Sequence, residues 1–131
     1  MGYLGEDLLR TLAQELKLTP AEVFEVATFY HHFEVIKDDA PAPPPLTVRV
    51  CDSVSCELAG AEALIERLQR DLPTGSRLQR VPCVGRCQHA PVAIVGTNPL
   101  HEATASMTEE AVNNRETEPE IPRLCQLEKL Q

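Results

Sequence analysis

Two cysteine pairs, Cys51 with Cys56 as C-x4-C and Cys83 with Cys87 as C-x3-C, constrain this chain more than any other feature of it. Four soft sulfurs spaced in this way are most economically used by a fold that brings them to one place. So gathered, they form the donor set of an all-cysteine [2Fe-2S] cage, in which each of two irons takes two thiolates. The surrounding sequence is built to deliver them. Cys51 ends the alternating apolar run Leu46-Thr47-Val48-Arg49-Val50, and Cys56 precedes a helical pattern, which places the first pair on a strand-to-helix loop. Cys83 follows the β-prone run Leu78 to Val81, and Gly85 lets the backbone turn closely between Cys83 and Cys87. Backbone N–H groups in that turn are expected to donate to the sulfurs and help set the potential.

Three other uses of the thiols compete. Structural zinc also takes four cysteines, although its half-sites are usually C-x2-C knuckles in hairpins. Disulfides are opposed by the odd count of five cysteines and by an amino terminus without a charged-then-apolar leader. Dithiol redox chemistry is opposed because neither pair is C-x-x-C.

A chain of 131 residues is expected to form one domain with at most a helical appendage. A net charge of −8, with no basic cluster, argues against nucleic acid and anionic membrane surfaces, since phosphate binding requires Lys or Arg. No apolar run approaches membrane-spanning length, so the expected location is cytoplasmic. There is no Gly-rich nucleotide loop, nucleophile elbow or H-E-x-x-H, and neither nucleotide nor substrate binding is expected from this chain alone.

Four segments are read along the chain: a helical part over 1–36, a Pro-rich linker over 37–45, the cysteine domain over 46–115, and a divergent, flexible tail over 116–131. Glu6 to Leu18 places Leu8, Leu9, Leu12, Ala13 and Leu16 along one side of a helix. Thr19-Pro20-Ala21-Glu22 starts a second helix, with threonine as N-cap, proline at the first helical position and glutamate closing a capping box; this helix is expected to run to about Phe33. Val23, Val26, Ala27 and Tyr30 recur on it at helical spacing, and Phe29, Tyr30 and Phe33 are read as packing between the helices and the next domain. The cysteine domain reads as a strand (Leu46 to Asp52), a helix (Glu57 to Leu72), strands over Arg77 to Val81 and Val92 to Val95, and a final helix near Met107 to Asn114. The long helix carries Leu58, Ala61, Leu64, Ile65, Leu68 and Leu72 on its apolar face and is stopped by Pro73 and Gly75. A βα unit followed by two strands and a helix is an α/β architecture with a small mixed sheet.

The run Val26-Ala27-Thr28-Phe29-Tyr30, the C-x4-C opening after a strand, and Cys83-Val84-Gly85-Arg86-Cys87 followed by Ala90-Pro91 together resemble the thioredoxin-like [2Fe-2S] subunit of respiratory complex I. Its relatives include the gamma subunit of NAD-dependent formate dehydrogenases and a module of NAD-reducing hydrogenases. The resemblance covers about Gly2 to Val95 and implies a thioredoxin-like [2Fe-2S] domain preceded by a short helical bundle segment. It also implies Cys51, Cys56, Cys83 and Cys87 as cluster ligands, and docking on a partner subunit that holds FMN and NAD(H). The stretch Cys51-Asp52-Ser53-Val54-Ser55-Cys56, the proline-rich linker and Asn98-Pro99-Leu100-His101 most resemble the N-terminal module of fused formate dehydrogenase beta chains. That family usually has another helix before Gly2-Tyr3-Leu4, so the bundle is expected to be truncated here. Cys125 lies outside both pairs and is read as a bystander thiol. His89 is read as solvent-facing or supporting, because a Rieske centre needs two histidines. His31 and His32 are adjacent on a helix and so diverge, and Asp38 and Asp39 read as linker solvation.

Overall fold

A computed structural model describes residues 3–30, 33–37 and 40–120. His31, His32, Asp38, Asp39 and Cys125 lie outside the described residues. The chain divides into two compact units, Met1–Pro45 and Leu46–Gln131.

In the first unit, β1 (Leu4–Gly5) leads into α1 (Glu6–Leu16), followed by α2 (Pro20–Phe29) and β2 (Val35–Ile36). The capping box at the start of α2 is present in both directions. Glu22 Oε2 accepts from the Thr19 N–H at 2.8 Å, and Thr19 Oγ1 accepts from the Glu22 N–H at 3.3 Å. These contacts satisfy amide donors that the helix itself leaves free. The helix stops at Phe29, short of the expected Phe33, because Tyr30 leaves helical geometry with φ of −92° and ψ of 114°, and β2 then runs parallel to β1, with Leu4 beside Val35. Two short helices offer each other only a narrow seam. Leu9 and Ala13 of α1 meet Val23 and Ala27 of α2, while Leu8, Leu12 and Leu16, expected on the same stripe, are exposed, as is Val26. Phe29, Tyr30 and Phe33 are exposed rather than packed into this core, and they rest edge-to-face on one another with ring centroids 5.1 and 6.2 Å apart.

The second unit is a four-stranded mixed sheet in the order β4-β3-β5-β6. β3 (Leu46–Cys51) and β4 (Ser76–Val81) are parallel and joined through α3 (Val54–Leu58) and α4 (Ala61–Asp71). β5 (Ala93–Val95) pairs antiparallel with β3, and β6 (Asn98–Leu100) with β5. α5 (Ala105–Asn113) follows, its N-cap Thr104 accepting from the Met107 N–H at 3.3 Å. Ile65, Leu68, Val48, Val50, Val92 and Val95 are fully buried and, with Ala111 and Val112, make one core between helices and sheet.

Two expectations are corrected here. The helix read as continuous from Glu57 to Leu72 is broken at Gly60, whose φ of +94° ends α3 and opens α4, leaving Leu58 85% exposed and off the apolar face. A left-handed backbone at that point suits glycine because a Cβ is disfavoured there. The tail expected from 116 is pinned at its start. Thr117 O accepts from the Thr97 N–H and Oγ1 at 2.8 and 2.9 Å, and Glu116 O accepts from Asn98 Nδ2 at 3.0 Å.

Candidate metal centre

Sheet register explains why two cysteine pairs distant in sequence come to one end of the sheet. β3 and β4 run parallel with Cys51 beside Val81, so the segments leaving both strands start from the same end of the sheet. β5 enters antiparallel from that end, and Val92 O accepts from the Cys51 N–H at 3.1 Å. The 82–92 connection carrying Cys83 and Cys87 is thereby tied on both sides to the end of the sheet at which β3 delivers Cys51.

The first pair does not sit on a strand-to-helix loop. Cys51 is the last residue of β3, and Cys56 lies inside α3, in the turn that begins at Ser53, whose carbonyl accepts from the Cys56 N–H at 2.8 Å. The helix starts three residues earlier than its apolar periodicity indicates because Ser53 takes the N-cap position. Both thiols are buried, at 2% exposure each. Cys83 and Cys87 are exposed, with their sulfurs 3.3 Å apart. Cys87 opens a short 3-10 turn, Cys87–His89.

Each sulfur environment has a polar donor or partner. The Gly85 N–H donates to Cys83 Sγ at 3.4 Å, from a residue with φ of +75°. That donation, and then the Cys87 thiol, hold the Cys83 pKa below the ordinary value. Cys87 is pushed up, first because it shares its proton with Cys83, although a hydrogen bond from Ser55 works the other way. Cys56 is pushed up chiefly by burial, opposed by the Val92 backbone N–H and reinforced by Cys51. The same interactions place Cys87 within electrostatic reach of Cys51 and Cys56, which links the two pairs. Ser55 and Val92 were not legible as site residues. Ser55 is one of two serines between the first cysteines, and Val92 acts through its backbone alone.

The donor set fits an iron–sulfur cluster. All four side chains are free cysteines, two walled in by the core and two at the surface, and N–H groups are already turned toward sulfur. Thiolates that receive such donors are stabilised as anions, which is what an iron ligand must be. Among the described residues no three Cys, His, Asp or Glu side chains gather closely enough to hold a single ion. His89 does not join the thiols; its ring stacks on His101 with centroids 4.3 Å apart.

The chain is similar to known proteins. Residues 1–116 match the family described as thioredoxin-like [2Fe-2S] ferredoxin. NADH-quinone oxidoreductase subunit 2 of Thermus thermophilus is 30% identical, over 95% of this chain and 74% of its own length. An NADH-quinone oxidoreductase subunit of Rhizobium meliloti is 37% identical, over 72% of this chain and 59% of its own length. An NADH-quinone oxidoreductase subunit of Mycobacterium tuberculosis is 32% identical and is spanned over 50% of its length. A crystal structure of an NAD+-reducing [NiFe]-hydrogenase superposes with a TM-score of 0.60 at 23% identity, over 83% of this chain and 20% of that one, which shows a shared fold. The match over most of the chain, the mixed sheet and the four free cysteines agree, and the protein belongs to the thioredoxin-like [2Fe-2S] ferredoxin family.

Proposed function

We propose that Cys51, Cys56, Cys83 and Cys87 hold a [2Fe-2S] cluster and that the chain is a one-electron carrier of an NAD(H)-linked oxidoreductase. The observation that carries the reading is the parallel register of β3 and β4, which brings both pairs to one end of the sheet with a buried pair behind and an exposed pair in front. When bound, such a cluster accepts and releases one electron at a time. The residues of this chain supply position, burial and hydrogen bonds. Cys51 and Cys56 keep one side of the site out of water, while the Gly85 and Val92 N–H groups and the Ser55 hydroxyl offset negative charge on sulfur. A single zinc ion needs all four sulfurs at about 2.3 Å from one centre. A [2Fe-2S] cluster instead asks each of its two irons for two of them.

Hydride chemistry belongs in this reading to a partner holding FMN and NAD(H), since the chain has no nucleotide loop of its own. The relatives named as NADH-quinone oxidoreductase subunits and the NAD+-reducing hydrogenase support an NAD(H)-linked complex. The narrower formate dehydrogenase branch rests on the 51–56 run, the linker and the 98–101 stretch. No helix among the described residues is long and apolar enough to cross a membrane. In this reading the carrier is a peripheral component on the cytoplasmic side.

The test is turnover. The cluster-loaded chain alone is expected to show no NADH or formate oxidation with ferricyanide, and activity is expected once a flavin-bearing partner is added. FMN binding or NADH–ferricyanide turnover by the isolated chain overturns the carrier reading. Which donor then supports turnover, NADH or formate, decides the branch.

A further inference from the structure

Arg86 and His101 meet beside the exposed cysteine pair. Arg86 Nη1 lies 3.0 Å from His101 Nε2. A guanidinium can only donate, so the ring nitrogen accepts and the imidazole is neutral with its proton on Nδ1. Burial, then the neighbouring His89 and Arg86, hold the His101 pKa below its ordinary value, which keeps it an acceptor. On its face, His101 stacks against His89 with planes 14° from parallel, and both rings are half-buried. The backbone follows the same path: the Glu102 N–H donates to His89 O at 2.9 Å, the Ala103 N–H to Pro91 O at 2.8 Å, and the His89 N–H to Arg86 O at 2.9 Å.

These contacts close on the three-residue turn that Cys87 opens. A turn that short has weak internal hydrogen bonding, and Cys83 and Cys87 are themselves exposed, while Val84 packs from this loop onto the core. We propose that His101 is a positioning residue that acts through Arg86 and His89, clamping the 86–89 turn to the end of β6 and so holding Cys87 in its cluster-binding orientation. Neither histidine is a ligand in this arrangement. His101 makes its contacts with Arg86 and His89 and works by restricting where the Cys87 thiolate can go. The inference rests on the cluster reading above.

The experiment uses the full chain loaded with its cluster. His101→Ala, His101→Gln, Arg86→Ala and the double Arg86→Ala/His101→Ala variant are compared by rate of colour loss in excess EDTA and by visible circular dichroism, which senses the cysteine geometry around iron. His101→Ala and Arg86→Ala are each expected to bleach several-fold faster and to alter the dichroism. The double variant is expected to bleach no faster than the quicker single one, because both members serve one clamp. His101→Gln restores an acceptor without the stack and is expected to fall between His101→Ala and the wild type. Urea midpoints of the cluster-free chains are expected to coincide. Unchanged bleaching in both single variants, additive effects in the double, or bleaching that merely tracks a lost urea midpoint overturns the clamp. A wild-type chain that takes up no iron overturns the cluster reading and the clamp with it, whereas a coloured wild type with unchanged variants overturns the clamp alone.

Discussion

Gly85→Ala isolates the contribution of one backbone conformation to cluster retention. Gly85 has φ of +75°, and a Cβ added there meets nothing within 4 Å, so the substitution introduces no clash. Alanine also keeps the N–H that donates to Cys83 Sγ. What remains is the cost of holding an L-residue in the left-handed region, about 1–2 kcal/mol. The cluster-free loop is exposed at Gly85, Arg86 and Cys87 and can relax that strain, whereas the ligated loop is held in place. The share of that cost which the cluster-free loop sheds falls on cluster binding, weakening it by up to about 5–30-fold. Asparagine visits the same region more readily, so Gly85→Asn is expected to lose less. The assay is competition for iron against a graded series of chelators, followed by visible absorption, with the urea midpoint of the cluster-free chain as a control that stays unchanged. The expected order of retention is Gly85, then Asn, then Ala. Equal retention by all three refutes the idea that loop conformation limits cluster hold, and so does a loss confined to the control.

Cys83→Ala is expected to abolish or severely deplete the cluster, because three thiolates leave one iron open to solvent, while Cys125→Ala leaves iron content unchanged; inductively coupled plasma analysis of both checks this. Ile65→Ala, at a fully buried position of α4, is expected to cost about 2–5 kcal/mol in urea unfolding. Leu58→Ala, at 85% exposure, is expected to stay within about 0.5 kcal/mol of wild type, a contrast that an unbroken 57–72 helix does not give. Glu22 is held below its ordinary value of 4.5 by the Thr19 backbone N–H and then the Thr19 hydroxyl. Its contribution to stability is thus fully present above 4.5 and is lost as pH falls through the lowered value. The stability gap between wild type and Glu22→Gln, read from thermal melts, is expected to be constant above about pH 5 and to close in more acid buffers.

Features written in local chemistry were legible in the sequence. Thr19-Pro20-Ala21-Glu22 specifies its capping box because both hydrogen bonds lie within one turn, and the cysteine spacing marks the site because ligand number and type are composition. The order strand, helix, strand, strand, helix survives in the second unit with two changes: the first helix is divided into α3 and α4, and β6 is added before the last helix. Features that depend on tertiary partners were not legible. Apolar spacing runs unbroken through Leu58 and Ala61, so periodicity alone carries the helix across Gly60, where the backbone turns left-handed. β6 contains Pro99, which reads as a loop and is tolerated because β6 is an edge strand of the sheet, paired on one side with β5. β1 and β2 are two residues each, too short to show an alternation. The exposure of Leu8, Leu12 and Leu16 follows from how narrow a seam α2 offers, which α1 does not encode. At the site, the Val92 N–H is invisible to side-chain reasoning, and the Arg86–His101 and His89–His101 contacts join residues 15 and 12 apart through the β5–β6 hairpin.

Whether two irons sit on these four thiolates is decided by iron and acid-labile sulfide, measured together on anaerobically purified protein. Brown protein is expected, with two irons and two sulfides per chain and a one-electron reduced state visible by electron paramagnetic resonance. Colourless protein carrying one zinc per chain and no labile sulfide contradicts the cluster assignment.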